Sequence, residues 1–210
     1  LTSHSNAAVR LGGVLALRHL LEPEIARFLS DTDSRVVLEA ARAIHDLPIS
    51  EALPQLAAMA DRGTVGTTSD VQDALLRRVL SANFRIGDET AAQRIARIAA
   101  DSKIVEKVRI EALEELKQWG TPSPLDRVLG DWRPIEKRDA KPASDALRSV
   151  LGSLFTGSDA LRKVSAELAA QYGIKEVEPV LVDVFSDLNQ SSPARASALQ
   201  ALVSLKSPQA

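Results

Sequence analysis

Apolar residues return every three or four positions along most of this chain, and polar residues fill the intervals. Four segments share one pattern: Val9-Arg-Leu-Gly-Gly-Val-Leu-Ala-Leu17, Val36-Val-Leu-Glu-Ala-Ala-Arg-Ala-Ile44, Val108-Arg-Ile-Glu-Ala-Leu-Glu-Glu-Leu116 and Ala194-Arg-Ala-Ser-Ala-Leu-Gln-Ala-Leu202. Each reads apolar, usually Arg, apolar, any, small, apolar, any, any, apolar. That period lays one apolar stripe along a helix. The small residue on the stripe (Gly13, Ala40, Ala112, Ala198) lets a second helix approach closely. Segments 71–80 and 160–168 keep the period with a weaker match.

Second helices are expected between these at 23–29, 51–61, 89–100 and 174–188. Asp33, Asp70, Asp88 and Ser158 precede periodic runs and can accept from amides that lack an intrahelical partner. Ser192 before Pro193 is a further start signal. Gly63, Gly87, Gly120, Gly157 and Gly173 close runs. First helices start near residues 6, 33, 70, 103, 158 and 192, spacings that scatter around the period of paired-helix arrays. The one long gap is 120–142, with Pro122, Pro124, Pro134 and Pro142. It reads as an ordered inserted loop with a short helix near 125–129, followed by a helix over 143–156. The stretch 63–69, rich in Gly and Thr, is the other long loop.

The expected fold is therefore all-α: a single solenoid over 1–210 of about six irregular helix pairs. Composition agrees, with 31 Ala and 28 Leu among 210 residues and only 3% aromatics. The absence of Cys excludes disulfides, thiolate metal sites and covalent haem attachment. A net charge of −2 disfavours a nucleic-acid partner. Charges interrupt every apolar run short of the about 20 residues that a membrane span needs. The chain begins at Leu1, which suggests a fragment or a processed piece.

The motif resembles HEAT repeats, with Val37 departing where Arg is usual. A narrower resemblance rests on the run from Arg35 to Asp46, on Asn83-Phe-Arg-Ile-Gly87, and on Trp119-Gly-Thr-Pro-Ser-Pro-Leu-Asp-Arg-Val-Leu-Gly-Asp-Trp-Arg-Pro134. These look like the helical middle of large exported dehydrogenase-like proteins of planctomycetes. There, HEAT repeats join a β-propeller to a c-type cytochrome domain. The resemblance implies a non-catalytic scaffold or protein-interaction module, exported if the narrow likeness holds and cytoplasmic otherwise. Its partner would be a flanking domain or another protein.

Candidate chemistry is sparse. His4, His19 and His45 have no metal-ligand spacing, and His19 and His45 read as helix-end residues. The di-iron hydroxylase of deoxyhypusine is an enzyme of similar architecture, but its His-Glu dipeptides are missing here. No Gly-x-Ser-x-Gly elbow or phosphate loop is present. No cofactor is expected. Arg77, Arg78 and Arg94 could line a concave groove for an acidic or sugar-like ligand, the alternative function being ligand binding or an enzymatic role on that face, or be salt-bridged surface. The recurrent Arg10, Arg109 and Arg195 are expected to tie neighbouring helices through an Asp or a carbonyl. The unusual constellation is Trp119, Asp126, Arg127, Trp132 and Arg133. It reads either as a docking spot or as a plug in which Trp132 folds over the gap with Arg133 stacked or paired.

Overall fold

The computed structural model describes residues 2–62 and 70–209; the loop at 63–69 lies outside them. The described residues are all-helical, with no strand beyond one isolated bridge. Packing divides the chain into two compact units. The first comprises Leu1–Ala91 and Ser123–Ile135, the second Ala92–Pro122 and Glu136–Ala210.

In the first unit, α1 (Ala7–Leu20) packs on α2 (Ser34–Asp46), and α2 packs on α4 (Asp70–Ile86). A 3-10 segment, Pro23–Ser30, lies against α1 and α2, and the short α3 (Leu53–Ala57) lies against α2 and α4. These are stacked helical pairs in the repeat register. The second members of the first two pairs differ from the expected α-helices: the first is wholly 3-10, and α3 is flanked by 3-10 turns. Both are short segments, the regime in which the tighter helix competes. The core centres on Ile25, Phe28, Leu29, Ile44, Leu56 and Leu80.

The helix α5 (Glu89–Ala100), with the expected bounds, carries the chain into the second unit. There α6 (Glu106–Lys117) and α10 (Ser192–Ser204) both pack on α8 (Asp159–Gln171). The helix α7 (Lys141–Phe155) touches α6 and α8, and α9 (Glu178–Ser186) lies on α10. Leu113, Leu116, Trp119, Leu147 and Leu154 fill this core.

Local signals act as expected. Asp33 accepts from Arg35 N, Asp88 from Ala91 N and Ser158 from Leu161 N. The cap of α10 is Ser191, one residue before the expected Ser192, which places Pro193 at the second helical position. Gly173, after α8, has φ +63°, a conformation that glycine adopts without steric cost. The motif's small residues Gly13, Ala40, Ala112 and Ala198 are buried.

The recurrent arginines tie helices. Arg109 Nε donates to Ala99 O at 2.8 Å, and Arg195 Nε donates to Phe185 O at 2.9 Å. In each case the guanidinium reaches back to the end of the preceding helix. Arg10 reaches forward, gripping Asp31 through Nε at 2.7 Å and Nη2 at 2.8 Å.

Candidate functional site

The polar centre of the first unit forms where three segments meet. The C-terminal end of α2 supplies His45 and Asp46. One face of α4 supplies Arg78, Ser81 and Arg85, residues spaced to share a side of the helix. The excursion Ser123–Ile135 supplies Asp126 and Arg133.

Asp126 organises the excursion. Its Oδ1 accepts from Val128 N at 2.9 Å and from Leu129 N at 3.0 Å, and its carbonyl accepts from Gly130 N at 2.7 Å. Gly130 has φ +77°, which lets the chain reverse. An antiparallel bridge between Leu125 and Trp132 closes the loop. The expected short helix near 125–129 is therefore a tight turn. The Asp126 side chain holds the amides that a helix would have pointed back along its own backbone.

The other oxygen of Asp126 faces the helices. Oδ2 accepts from Arg85 Nη2 at 2.7 Å and Nε at 3.2 Å, and from Arg133 Nη1 at 3.2 Å. Arg133 Nη1 also donates to the His45 carbonyl at 3.0 Å. Burial pushes the Asp126 carboxyl up, but the Arg85 hydrogen bond and the Leu129 amide outweigh it and hold the group below the usual carboxylate range. Burial also lowers the Arg133 guanidinium, with Arg85 adding to the effect and Asp126 opposing it.

His45 is fully buried. Its Nδ1 lies 2.9 Å from Asp46 Oδ1, and Nε2 lies 2.8 Å from Ser81 Oγ and 3.5 Å from Asp126 Oδ2. A carboxylate only accepts, so the contact to Asp46 assigns a proton to Nδ1. Arg78 grips Asp46 with Nε at 3.0 Å and Nη2 at 2.8 Å. Burial raises the Asp46 carboxyl, while hydrogen bonds from His45 and Arg78 bring it below its ordinary value.

The order Ser81, His45, Asp46 is that of a nucleophile, its base and an orienting acid. Burial argues against that use, since Ser81 is only 4% exposed and leaves a substrate no approach to its oxygen. What the arrangement does is fasten. Two carboxylates and three guanidinium groups saturate one another and bind the excursion to α2 and α4. Breaking one partner of such a buried set is costly, because the other charge stays behind.

The sequence constellation thus separates. Asp126 and Arg133 are internal fasteners, whereas Arg127 and Trp132 are exposed. Trp132 is 71% exposed and plugs no gap, because its pairing with Leu125 turns it to solvent. Trp119 belongs to the second unit, where it is fully buried. There the Arg138 guanidinium lies 4.0 Å from the Trp119 ring centroid, and its Nε donates to Trp119 O at 3.0 Å. Tyr172 beside it donates to Leu116 O, and burial pushes its hydroxyl up to about 12.

Of the three arginines considered for a groove, Arg78 is committed to Asp46 and Arg77 is half-buried on α4. Arg94 stands in the second unit. The fastening residues His45, Ser81 and Arg85 went unread in the sequence as site members. The available signal was Ser81 and Asn83 interrupting the apolar run 79–84.

No family model matches the chain, and no curated protein does. Among solved structures, human deoxyhypusine hydroxylase in complex with glycerol matches 97% of this chain and 88% of that chain, at 17% identity and a TM-score of 0.34.

Proposed function

We propose that the chain is a non-catalytic protein-interaction module that presents Trp132 as an anchor for another protein domain. The observation that carries this reading is an exposed Trp on a segment that Asp126 and Arg133 fix from within. Trp and Arg dominate the energetics of interfaces, and a pre-ordered loop loses little entropy on docking. A large aromatic held in water by a costly buried charge network has no evident benefit to the isolated fold.

The finer reading follows the sequence resemblance. The partner is a flanking domain of a longer, exported dehydrogenase-like protein, and this module spaces that domain from a cytochrome. The gene around this segment tests the finer reading directly. A propeller upstream and a Cys-x-x-Cys-His downstream support it, and their absence sinks it.

The broader reading is tested in cells that make the natural protein. A photo-crosslinking amino acid is placed at position 132, with a control at the exposed Lys163 of α8. Adducts specific to position 132 are expected, mapping to one surface of one other domain. Adduct yields no higher than at position 163 would refute it.

A further inference from the structure

An apolar groove opens in the first unit where α1 meets the end of α2. Leu15, Arg18, His19, Leu21 and Leu47 line a space of about 390 Å³. The three leucines are 49%, 55% and 37% exposed. Single exposed leucines are ordinary, but several gathered around one opening mark a contact site.

The repeat register separates this exposure from an end effect. Leu15 corresponds to Arg42 of α2, and Leu21 corresponds to Pro48. α2 has a helix packed on each side, α1 and α4, and Arg42 and Pro48 are exposed all the same. These two positions are therefore open even in the middle of the stack. At α10 they hold Gln200 and Lys206, both exposed, and at α6 the first holds Glu114. The stack does not demand leucine there. The corresponding groove between α8 and α10 is polar, with Glu167, Gln171, Ser197, Gln200 and Ser204 in its lining.

Charge narrows what can enter. The lining contains Arg18 and His19 and, among the described residues, no carboxylate. Glu39 of α2 accepts from Arg18 Nη1 and, at 3.5 Å, from Arg42 Nη1. Two guanidinium groups thus share one carboxylate, and that carboxylate is the most covered of the three side chains. One positive charge is left over beside the apolar opening. A second carboxylate, brought in with apolar side chains, would match it through charge-assisted hydrogen bonds.

We propose that this groove binds a peptide segment of a partner protein that presents apolar side chains next to an Asp or Glu. Leu15, Leu21 and Leu47 receive the apolar side chains, and the Arg18–Arg42 pair receives the carboxylate. The surface shares no residue with the Trp132 anchor and does not rest on it.

A displayed library of random peptides, selected on the full chain, is the probe. Peptides that combine Leu, Ile or Phe with Asp or Glu should be enriched. An enriched peptide should bind about tenfold more weakly when its acidic residue is replaced by the amide, and about tenfold more weakly to Leu15→Gln. Gln is the residue that α10 holds at this exposed position, so the variant should keep its helical circular dichroism. Methyl NMR signals of Leu15, Leu21 and Leu47 should shift on binding, while those of the buried Leu161 and Leu168 in α8 stay in place. No enrichment, a consensus without an acidic residue, shifts away from the three leucines, or full binding to Leu15→Gln overturns the proposal. Self-association of the chain that Leu15→Gln abolishes would give the groove to a second copy and overturn it as well.

Discussion

Arg133 Nη1 donates to the carbonyl of His45 at 3.0 Å, across 88 residues of sequence. That carbonyl stands at the C-terminal end of α2, where backbone acceptors lack intrahelical donors and carry the negative end of the helix dipole. The cation thus meets a helix end and the Asp126 carboxylate together, and the excursion is held by charge rather than by apolar burial.

Removing the carboxylate should therefore free the excursion. Asp126→Ala leaves Arg85 and Arg133 without their shared acceptor, at an expected cost of about 3–5 kcal/mol. Urea unfolding measures the loss. Limited proteolysis of the native variant should cut between 123 and 135, where the parent chain resists. An uncut loop would show that it is held by other means.

Acid should act on the same fastening. The folded values of Asp46 and Asp126 lie below the ordinary carboxylate value, so the unfolded chain takes up protons first as the pH falls. Their contribution is complete above the unfolded value of about 4 and is lost as the pH drops through the folded values. Asp33, held at about 2 by Arg35, adds the same direction. Urea midpoints at pH 5, 4 and 3 should decline in that order, and less steeply in Asp126→Ala. Equal slopes in both proteins would contradict the assignment.

The helix-tying arginines make a separate prediction. Arg109→Ala removes a buried, charged donor to Ala99 O, at an expected loss of about 1.5–3 kcal/mol. Its melting temperature should drop, while crosslinking from position 132 in the natural protein stays unchanged. An unaltered melting temperature would deny these bonds any role in stability.

The two tryptophans should behave oppositely. Trp119→Ala empties a fully buried site and should cost about 3–5 kcal/mol, whereas Trp132→Ala should change stability by no more than about 0.5 kcal/mol. Iodide should quench the Trp119→Phe protein, which retains Trp132, far more than the Trp132→Phe protein. Similar quenching of the two would mean that their exposures have been misassigned.

Local order was legible in the sequence because its causes are local. The bounds of α5, the caps Asp33, Asp88 and Ser158, and the buried small residues all follow from spacing and side-chain type. The fastening network was not, because the contacts that join His45, Ser81 and Asp126 span 36 residues or more of sequence, and no local spacing marks them. His45 reads as a helix-end residue, which it is, but nothing local says that Ser81 and Asp126 close over its ring. The two tryptophans look alike in the sequence. Backbone pairing at Leu125 and a guanidinium from Arg138 send one outward and the other in.

The course of the chain through its two units bears on the order of synthesis. The first unit takes its last piece from residues 123–135, after the chain has already entered the second. A ribosome that has released only Ala91 has made Arg85 but not Asp126, the carboxylate that accepts from it. Domains commonly fold as they emerge, amino end first. Here the first unit cannot finish until Asp126 arrives, so a truncation at residue 91 yields an incomplete unit, and residues 123–135 supplied as a peptide should restore it.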